Sequence, residues 1–307
     1  MPLKKVFVAG GTGFIGPYII EEFLTRGFEV NVLVRHPSRK DRLPSGARPL
    51  LGDPLRPGPW QEVCFSSQVV INLVGANIFS RWTPAYKRLI RETRVQATKQ
   101  IVVALREGAV LLNASAVGFY GADRGEEEVT EEASPGKDFL AEVCQAWERE
   151  ALEGEKRGAR VCLMRFGIVL GRDGGALKKM LLPFRLGLGG PLGSGNQWFP
   201  WIHIKDLCRA ASFLAENSTL FGPFNFVSPG IVRQKEFVKA LARVLRRPAI
   251  FPVPGFILKL FFGELAALFL GGVKARPQRL LEHKFRFQFP EIEEALKDLL
   301  KKSPEKR

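Results

Sequence analysis

Three glycines spaced three apart close a short apolar run: Val6-Phe7-Val8-Ala9 leads into Gly10-Gly11-Thr12-Gly13-Phe14-Ile15-Gly16. A turn of this kind between strand and helix can hold a pyrophosphate, because it presents bare backbone N–H groups at the positive end of a helix. Each glycine has its own duty in that reading. Gly10 lets the chain leave the strand in a turn that a Cβ would obstruct, Gly13 lets the backbone approach the phosphates, and Gly16 lets helix and strand pack closely. Thr12, Phe14 and Ile15 complete the candidate loop; the competing reading is a plain β–α turn. A second candidate group follows the alternating run Phe28 to Val34, which ends in Arg35-His36-Pro37-Ser38-Arg39-Lys40. In a dinucleotide fold this strand end meets the adenosine ribose, where an acid binds the 2′-OH of NAD and a base pairs with the 2′-phosphate of NADP. No acid stands there, and a guanidinium forks naturally onto phosphate oxygens. The expected cofactor is therefore NADP, with Arg35 on the extra phosphate; a solvated basic turn is the alternative. The third candidate is Ser115, at the end of the apolar run from Val110. A hydroxyl at the carboxyl end of a central strand lies where hydride chemistry takes place, and it could donate to a substrate carbonyl or to a nicotinamide amide.

The elements that must position these groups follow from periodicity. Pro17 to Arg26 reads as the first helix, and Pro49 to Asp53 as a short third strand. Asp53 either accepts from an adenine amino group or forms the turn before Pro54. Val69 to Gly75 is a continuous apolar run that suits a buried parallel strand, with Gly75 leaving room for a ligand. A long helix is expected from Pro84 to Arg106, with Leu89, Val95, Ile101, Val102 and Leu105 on its buried side. An acid-rich loop, Glu126 to Glu132, precedes a helix Phe139 to Lys156 that Asp138 would cap. Arg160 to Arg165 is a further strand. The glycine-rich stretch Gly187 to Gly195 reads as a loop suited to close over a ligand. Trp198, Phe199 and Trp201 offer either a surface for a ring or packing, and Asp206 a helix cap. His203 lies in an apolar strand and reads as structural. Amphipathic helices are expected at Gln234 to Leu245, Gly255 to Leu270 and Glu291 to Lys301, with a frayed tail over Lys301 to Arg307.

The 307 residues are enough for a large α/β core, and 46% hydrophobic with 25% charged content is ordinary for a globular chain. The net charge of +15 is not ordinary. It favours anionic partners without choosing among them. Four dispersed cysteines and three dispersed histidines suggest neither disulfides nor a metal site. The most apolar stretch, Phe256 to Leu270, is shorter than the roughly 20 residues that span a bilayer. A cytoplasmic protein with no membrane span is expected.

Several motifs together carry a family resemblance. Gly-Gly-Thr-Gly-Phe-Ile-Gly at 10–16, Asn-Leu-Val-Gly at 72–75, Ser-Ala-Val-Gly-Phe-Tyr-Gly at 115–121 and Arg-Phe-Gly-Ile-Val-Leu-Gly at 165–171 resemble the extended short-chain dehydrogenase/reductases. Asp138 to Cys144 with Trp147-Glu148, Leu181 to Gly190, Trp201 to Leu207 and the C-terminal stretch through Leu281 narrow it. They are similar to the atypical epimerase family labelled nucleoside-diphosphate-sugar epimerases. The resemblance implies a Rossmann-type, doubly wound parallel sheet over residues 1–180, with returning segments around 196–230, and a smaller substrate-side lobe over 181–307. It also implies bound NADP, met by Val34 and Arg35 at the 2′-phosphate, by Leu73 and Val74 beside the sheet, by Arg94 from the long helix and by Met164 on the nicotinamide side.

One departure bears on mechanism. The superfamily carries a Tyr-x-x-x-Lys pair on the helix after the serine strand, whose lysine lowers the tyrosine pKa. Here Phe139 and Val143 stand for that pair, and neither transfers a proton. The three tyrosines, Tyr18, Tyr86 and Tyr120, have Glu22, Ile90 and Arg124 four residues on. Tyr120 could reach the site from the loop, with Arg124 lowering its pKa, or could be a packed aromatic. Glu142 or Cys144 are further proton carriers, or ordinary helix residues. Three functions are therefore in play. The first is an NADP-dependent oxidoreductase or epimerase for an anionic small molecule, such as a nucleotide-linked sugar. The second is a non-catalytic NADP-binding redox sensor or assembly factor. The third, a nucleic-acid binder, rests on net charge alone and is not expected, because no recognition motif supports it.

Overall fold

The computed structural model describes residues 4–301, so the tail beyond Lys301 lies outside the described residues. The chain forms two compact units. The first comprises residues up to Phe119, Pro135–Phe166 and Cys208–Phe224, and the second comprises Tyr120–Ser134, Gly167–Leu207 and residues from Asn225 onward.

The first unit is built on seven strands: β1 (Lys5–Ala9), β2 (Glu29–Val34), β3 (Arg48–Leu51), β4 (Val69–Asn72), β5 (Val110–Ala116), β6 (Arg160–Phe166) and β7 (Gly222–Phe226). Their order across the sheet is β7-β6-β5-β4-β1-β2-β3, and β1 to β6 run parallel. The order reverses between β1 and β4. Ligand crevices of doubly wound sheets open there, at the carboxyl ends of the strands. Helices α1 (Gly16–Thr25), α2 (Trp60–Phe65), α3 (Pro84–Val103) and α4 (Phe139–Leu152) accompany the sheet. Apolar burial holds these layers: Phe7 stacks on Trp60 at 5.7 Å, above a core of Val70, Ile101, Leu105, Leu111, Ala151 and Val161. Each such side chain is worth about 1.5–3 kcal/mol when fully buried.

Two helix starts are fixed by side chains. Thr83 Oγ1 accepts from Tyr86 N at 3.2 Å, and Asp138 Oδ1 accepts from Ala141 N at 3.0 Å, as the sequence suggested. The buried face of α3 differs from expectation. Leu89 is 44% exposed, while Ile90, Ala97, Thr98, Ile101 and Val102 are buried. Arg94 and Thr98 share the inward stripe, and a reading that counts only apolar residues shifts the face by one position. The helix expected to run to Lys156 ends at Leu152, and a 3-10 turn follows over Glu155–Arg157.

The second unit contains three short strand pairings. Asp123–Val129 lies beside Gly272–Ala275, Ile168–Leu170 beside Trp201–His203, and Trp198–Phe199 beside Val232–Arg233. The acid-rich segment is thus partly strand, because Glu128 meets Lys274 and Arg276 and Glu126 meets Arg233. The unit boundary also differs from a division at residue 180 with a return over 196–230. Residues 120–134 and 167–180 belong to the second unit, and only 208–224 returns. Trp198 to His203 pair with strands of the second unit, whereas the end of the helix Ile204–Glu216 is tied to α1, with Ser212 Oγ donating to Glu22 at 2.8 Å and Arg26 pairing with Glu216 at 2.8 Å.

Two other expectations change here, and one open alternative is settled. Asp206 is not a cap: it is buried in the first turn and accepts from Gln288 N and Phe289 N, each at 2.8 Å. The Gly187 to Gly195 stretch lies alongside 251–253, with Phe251 N donating to Gly189 O and Val253 N to Pro191 O. A Cβ on Gly190 would stand 1.9 Å from Phe251 O, so this glycine serves close backbone approach. Phe199 stacks on Phe237 at 4.2 Å and Trp201 Nε1 donates to Gly230 O at 2.9 Å, so both are packing residues. His203 is structural, as expected: Nδ1 accepts from Lys205 N and burial lowers its pKa to about 4.

Candidate functional site

The glycine loop is shaped as its spacing suggested, with one change of duty. Gly10 has φ +83°, and a Cβ there would stand 2.7 Å from the Leu73 carbonyl carbon. Gly13 N donates to Gly10 O at 3.1 Å, closing the turn. Gly13 is exposed, and a Cβ on it would meet only Gly10 O within 4 Å. A Cβ on Gly16 would stand 2.1 Å from Gly11 O, so Gly16 admits the loop itself rather than a strand. The close helix–strand contact belongs to Gly11, where a Cβ would meet Val32 at 2.5 Å and Ile20 at 3.1 Å. No side chain caps α1, and its first turn holds no acid. The positive end of that helix is available to an anion. Thr12, Phe14 and Ile15 are half-buried around the loop.

The neighbouring strand ends contribute the rest of this edge. Val34 is buried at the end of β2 and Arg35 is exposed beside it. Arg35, Arg39 and Lys40 are all exposed, and no carboxylate among the described residues pairs with them. Asp53 forms the turn: Oδ1 accepts from Leu55 N at 3.1 Å. Leu73 N donates to Ala9 O at 2.9 Å, which brings the end of β4 against the glycine loop. Val74 N donates to Asn72 Oδ1 at 3.1 Å. Gly75 leaves room for a neighbour: a Cβ there would stand 2.9 Å from the Arg94 guanidinium carbon. Arg94 Nη1 donates to Ala76 O and Ile90 O, and its guanidinium lies 5.1 Å from the Trp147 ring. Burial lowers the Arg94 pKa, and no carboxylate among the described residues neutralises it.

Under this edge a buried network fixes the strand ends. Asn72 Nδ2 donates to Thr98 Oγ1 at 2.8 Å and to Asn113 Oδ1 at 2.7 Å, and Trp147 Nε1 donates to Thr98 Oγ1 at 2.9 Å.

The Ser115 end is built differently. Ser115 is 2% exposed, and its hydroxyl donates to Glu148 Oε1 at 2.6 Å. Arg165, its strand partner across β5 and β6, holds the same carboxylate with Nε on Oε1 at 2.9 Å and Nη2 on Oε2 at 2.8 Å. The Arg165 guanidinium also lies 3.6 Å from the Phe119 ring centroid. Cys144 hydrogen-bonds to Ser115, and burial, helped by the Glu148 charge, pushes its thiol up to about 12. The helix position facing the serine is therefore Cys144. One turn earlier is Leu140, whose Cβ is the nearest atom to a Cβ built on Gly118, at 3.8 Å. Leu140 and Cys144, rather than Phe139 and Val143, thus face the segment from Ser115 to Gly118.

Several candidates fall outside the open edge. Tyr120 belongs to the second unit and is fully buried. Its hydroxyl donates to Asn225 Oδ1 at 2.7 Å, and Arg124 Nε donates to the Tyr120 carbonyl. This is the packed aromatic. Met164 has no exposed surface. Ser115 keeps its place at a strand end, but its proton is directed to Glu148. Glu148 and Arg165 were missed. The available signal was a charged residue at each of two positions where the pattern is apolar.

Strand order, glycine loop and the crevice at the β1/β4 reversal define a Rossmann-type fold of the extended short-chain dehydrogenase/reductase class. The profile of the NAD dependent epimerase/dehydratase family matches residues 6–245, and one described as a domain of unknown function (DUF1731) matches residues 253–299. The chain belongs to that epimerase family. It is 38% identical to an Arabidopsis thaliana "Epimerase family protein SDR39U1 homolog, chloroplastic", covering 96% of this chain and 86% of the relative. It is 37% identical to "Epimerase family protein SH2119" of Staphylococcus haemolyticus, over 97% of this chain and 99% of the relative. Among solved structures, human epimerase family protein SDR39U1 (isoform2) with NADPH superposes with a TM-score of 0.83 at 32% identity, over 96% of this chain and 98% of that one. No helix among the described residues is long and apolar enough to cross a membrane.

Proposed function

We propose that this chain binds NADP(H) in preference to NAD(H), and that it serves an oxidoreductase or epimerase reaction on an anionic small molecule such as a nucleotide-linked sugar. One observation carries the reading: the glycine cradle sits beside a strand end with three exposed, unpaired cations, Arg35, Arg39 and Lys40. Open N–H groups of the loop suit the pyrophosphate, and Arg35 suits the 2′-phosphate. Leu73, Val74 and Gly75 border the cradle, and Arg94 offers a half-buried positive charge to an anion. A dinucleotide held there would accept or donate hydride at its nicotinamide, according to its oxidation state. The NADPH in the human relative supports the same cofactor, and the net charge of +15 favours an anionic substrate.

Fluorescence titration tests this. Arg35→Glu is expected to weaken NADPH binding about 10- to 100-fold while leaving NADH binding unchanged or tighter. Tighter binding of NADH than NADPH by the native chain overturns it.

The second reading, a non-catalytic NADP(H)-binding sensor or assembly factor, draws on Ser115. Its proton is committed to Glu148, and the facing Cys144 holds its own proton to about 12. NADPH turnover against a panel of anionic carbonyl compounds and nucleotide sugars separates the two.

A further inference from the structure

The second unit carries an apolar face that the cofactor site does not use. It is built from two stretches. The first is the end of the helix Gly175–Arg185 and the residues after it, where Leu182, Leu186 and Leu188 are exposed. The second runs from Ile250 through the helix Gly255–Phe262, where Ile250, Phe251, Phe256, Leu260, Phe261 and Phe262 are exposed. The stretches lie side by side, joined by Phe251 N to Gly189 O and Val253 N to Pro191 O. The helix is held from beneath by Leu258, which is buried. Phe256 at 71%, Leu260 at 78% and Phe261 at 75% exposure therefore point to solvent from an anchored helix. Soluble monomers rarely expose so much contiguous apolar surface without a use for it.

The charges on the same two stretches decide the use. Residues 175–188 and 246–263 contain Lys178, Lys179, Arg185, Arg246, Arg247 and Lys259 and not one Asp or Glu. All six cations are exposed. A protein partner or a second copy of this chain would have to supply a matching acidic rim. A second copy brings the same +15 charge and the same acid-free stretches, which repel one another. A surface of anionic lipid supplies both halves at once, acyl chains for the aromatics and negative head groups for the cations. The helix spans about 12 Å at 1.5 Å per residue, so it can lie in the interface but not cross it.

We propose that this face docks the protein reversibly on anionic membrane surfaces, with Phe256, Leu260 and Phe261 entering the acyl boundary and Lys259, Arg246, Arg247 and Arg185 meeting lipid phosphates. Docking of this kind is peripheral, salt-sensitive and independent of the dinucleotide.

Co-sedimentation of the full chain with vesicles tests it, using phosphatidylcholine alone or with about one third phosphatidylglycerol. The expected result is binding to the anionic vesicles that falls at least 10-fold when sodium chloride rises from about 0.05 to 0.5 M. Binding to neutral vesicles should be at least 10-fold weaker. Leu260→Gln with Phe261→Ser should abolish binding at unchanged circular dichroism and unchanged NADPH affinity, since both side chains face solvent. Arg246→Ala with Arg247→Ala should weaken binding to anionic vesicles only. Equal binding to both vesicle types overturns the proposal. So does absence of binding in a chain that sediments as a dimer and becomes monomeric with the Leu260 and Phe261 substitutions, which would assign the face to self-association.

Discussion

At one edge of the central sheet, two strand ends are built on opposite plans. Around β1, β2 and β4 glycines keep Cβ atoms away, and Arg35, Arg39 and Lys40 stand without a carboxylate partner among the described residues. Around β5 and β6 the polar groups are turned inward and bonded to one another: Ser115 to Glu148, and Glu148 twice to Arg165. The first region leaves backbone N–H groups and cations exposed. The second already has its partners. A carboxylate and a guanidinium both about 5% exposed are held by each other and by neighbours such as Ser115 and Phe119, since an isolated buried charge is several kcal/mol uphill. The hydrogen bonds of Ser115 and Glu148 are thus directed into the protein.

Substitutions can break or sharpen that contrast. The largest effect belongs to Glu148→Gln, which leaves Arg165 buried without its counter-charge. Denaturant unfolding should show a loss of about 3–5 kcal/mol. A loss below about 1 kcal/mol would mean that the inward-facing cluster is not structural. Gly10→Ala comes next. It combines positive φ with a Cβ 2.7 Å from Leu73, and a stability loss of about 1–3 kcal/mol is expected together with weaker NADPH binding in calorimetry. Ser115→Ala should be milder, about 1 kcal/mol, because Arg165 still holds Glu148. Its NADPH affinity should match the native chain; a large drop would place Ser115 with the open edge instead.

The last effect vanishes at neutral pH. The folded-state pKa of Cys144, about 12, lies above the ordinary 9.0. The stability it contributes is fully present below about pH 9 and declines as pH rises toward 12. Unfolding followed from pH 8 to pH 11 should show this decline, and Cys144→Ala should make it shallower. Cys64, also pushed up to about 12 by burial, and Cys208, raised well above its ordinary value by burial, contribute in the same direction.

The open region was legible in the chain and the closed one was not, for a physical reason. Gly10, Gly13 and Gly16 act through backbone geometry a few residues apart, and the exposed place of Arg35 follows directly from its strand. Local spacing carries such information. Glu148 and Arg165 lie 17 residues apart, and each looks like a solvated charge until the partner is seen. The same blindness put Leu89 on the inner face of α3, since Arg94 and Thr98 did not count as inward. It also made Asp206 a cap, although its acceptors meet backbone donors at 288–289. Asp138 was legible because a cap acts within one turn.

The unattached cations at the end of β2 have a consequence for how such a chain can change over generations. Because no carboxylate among the described residues pairs with Arg35, Arg39 or Lys40, each can be exchanged alone at little expected cost to the fold. The charge presented at that corner can drift by single steps. Glu148 and Arg165 admit no such path: a lineage wanting a freer serine would have to replace both at once.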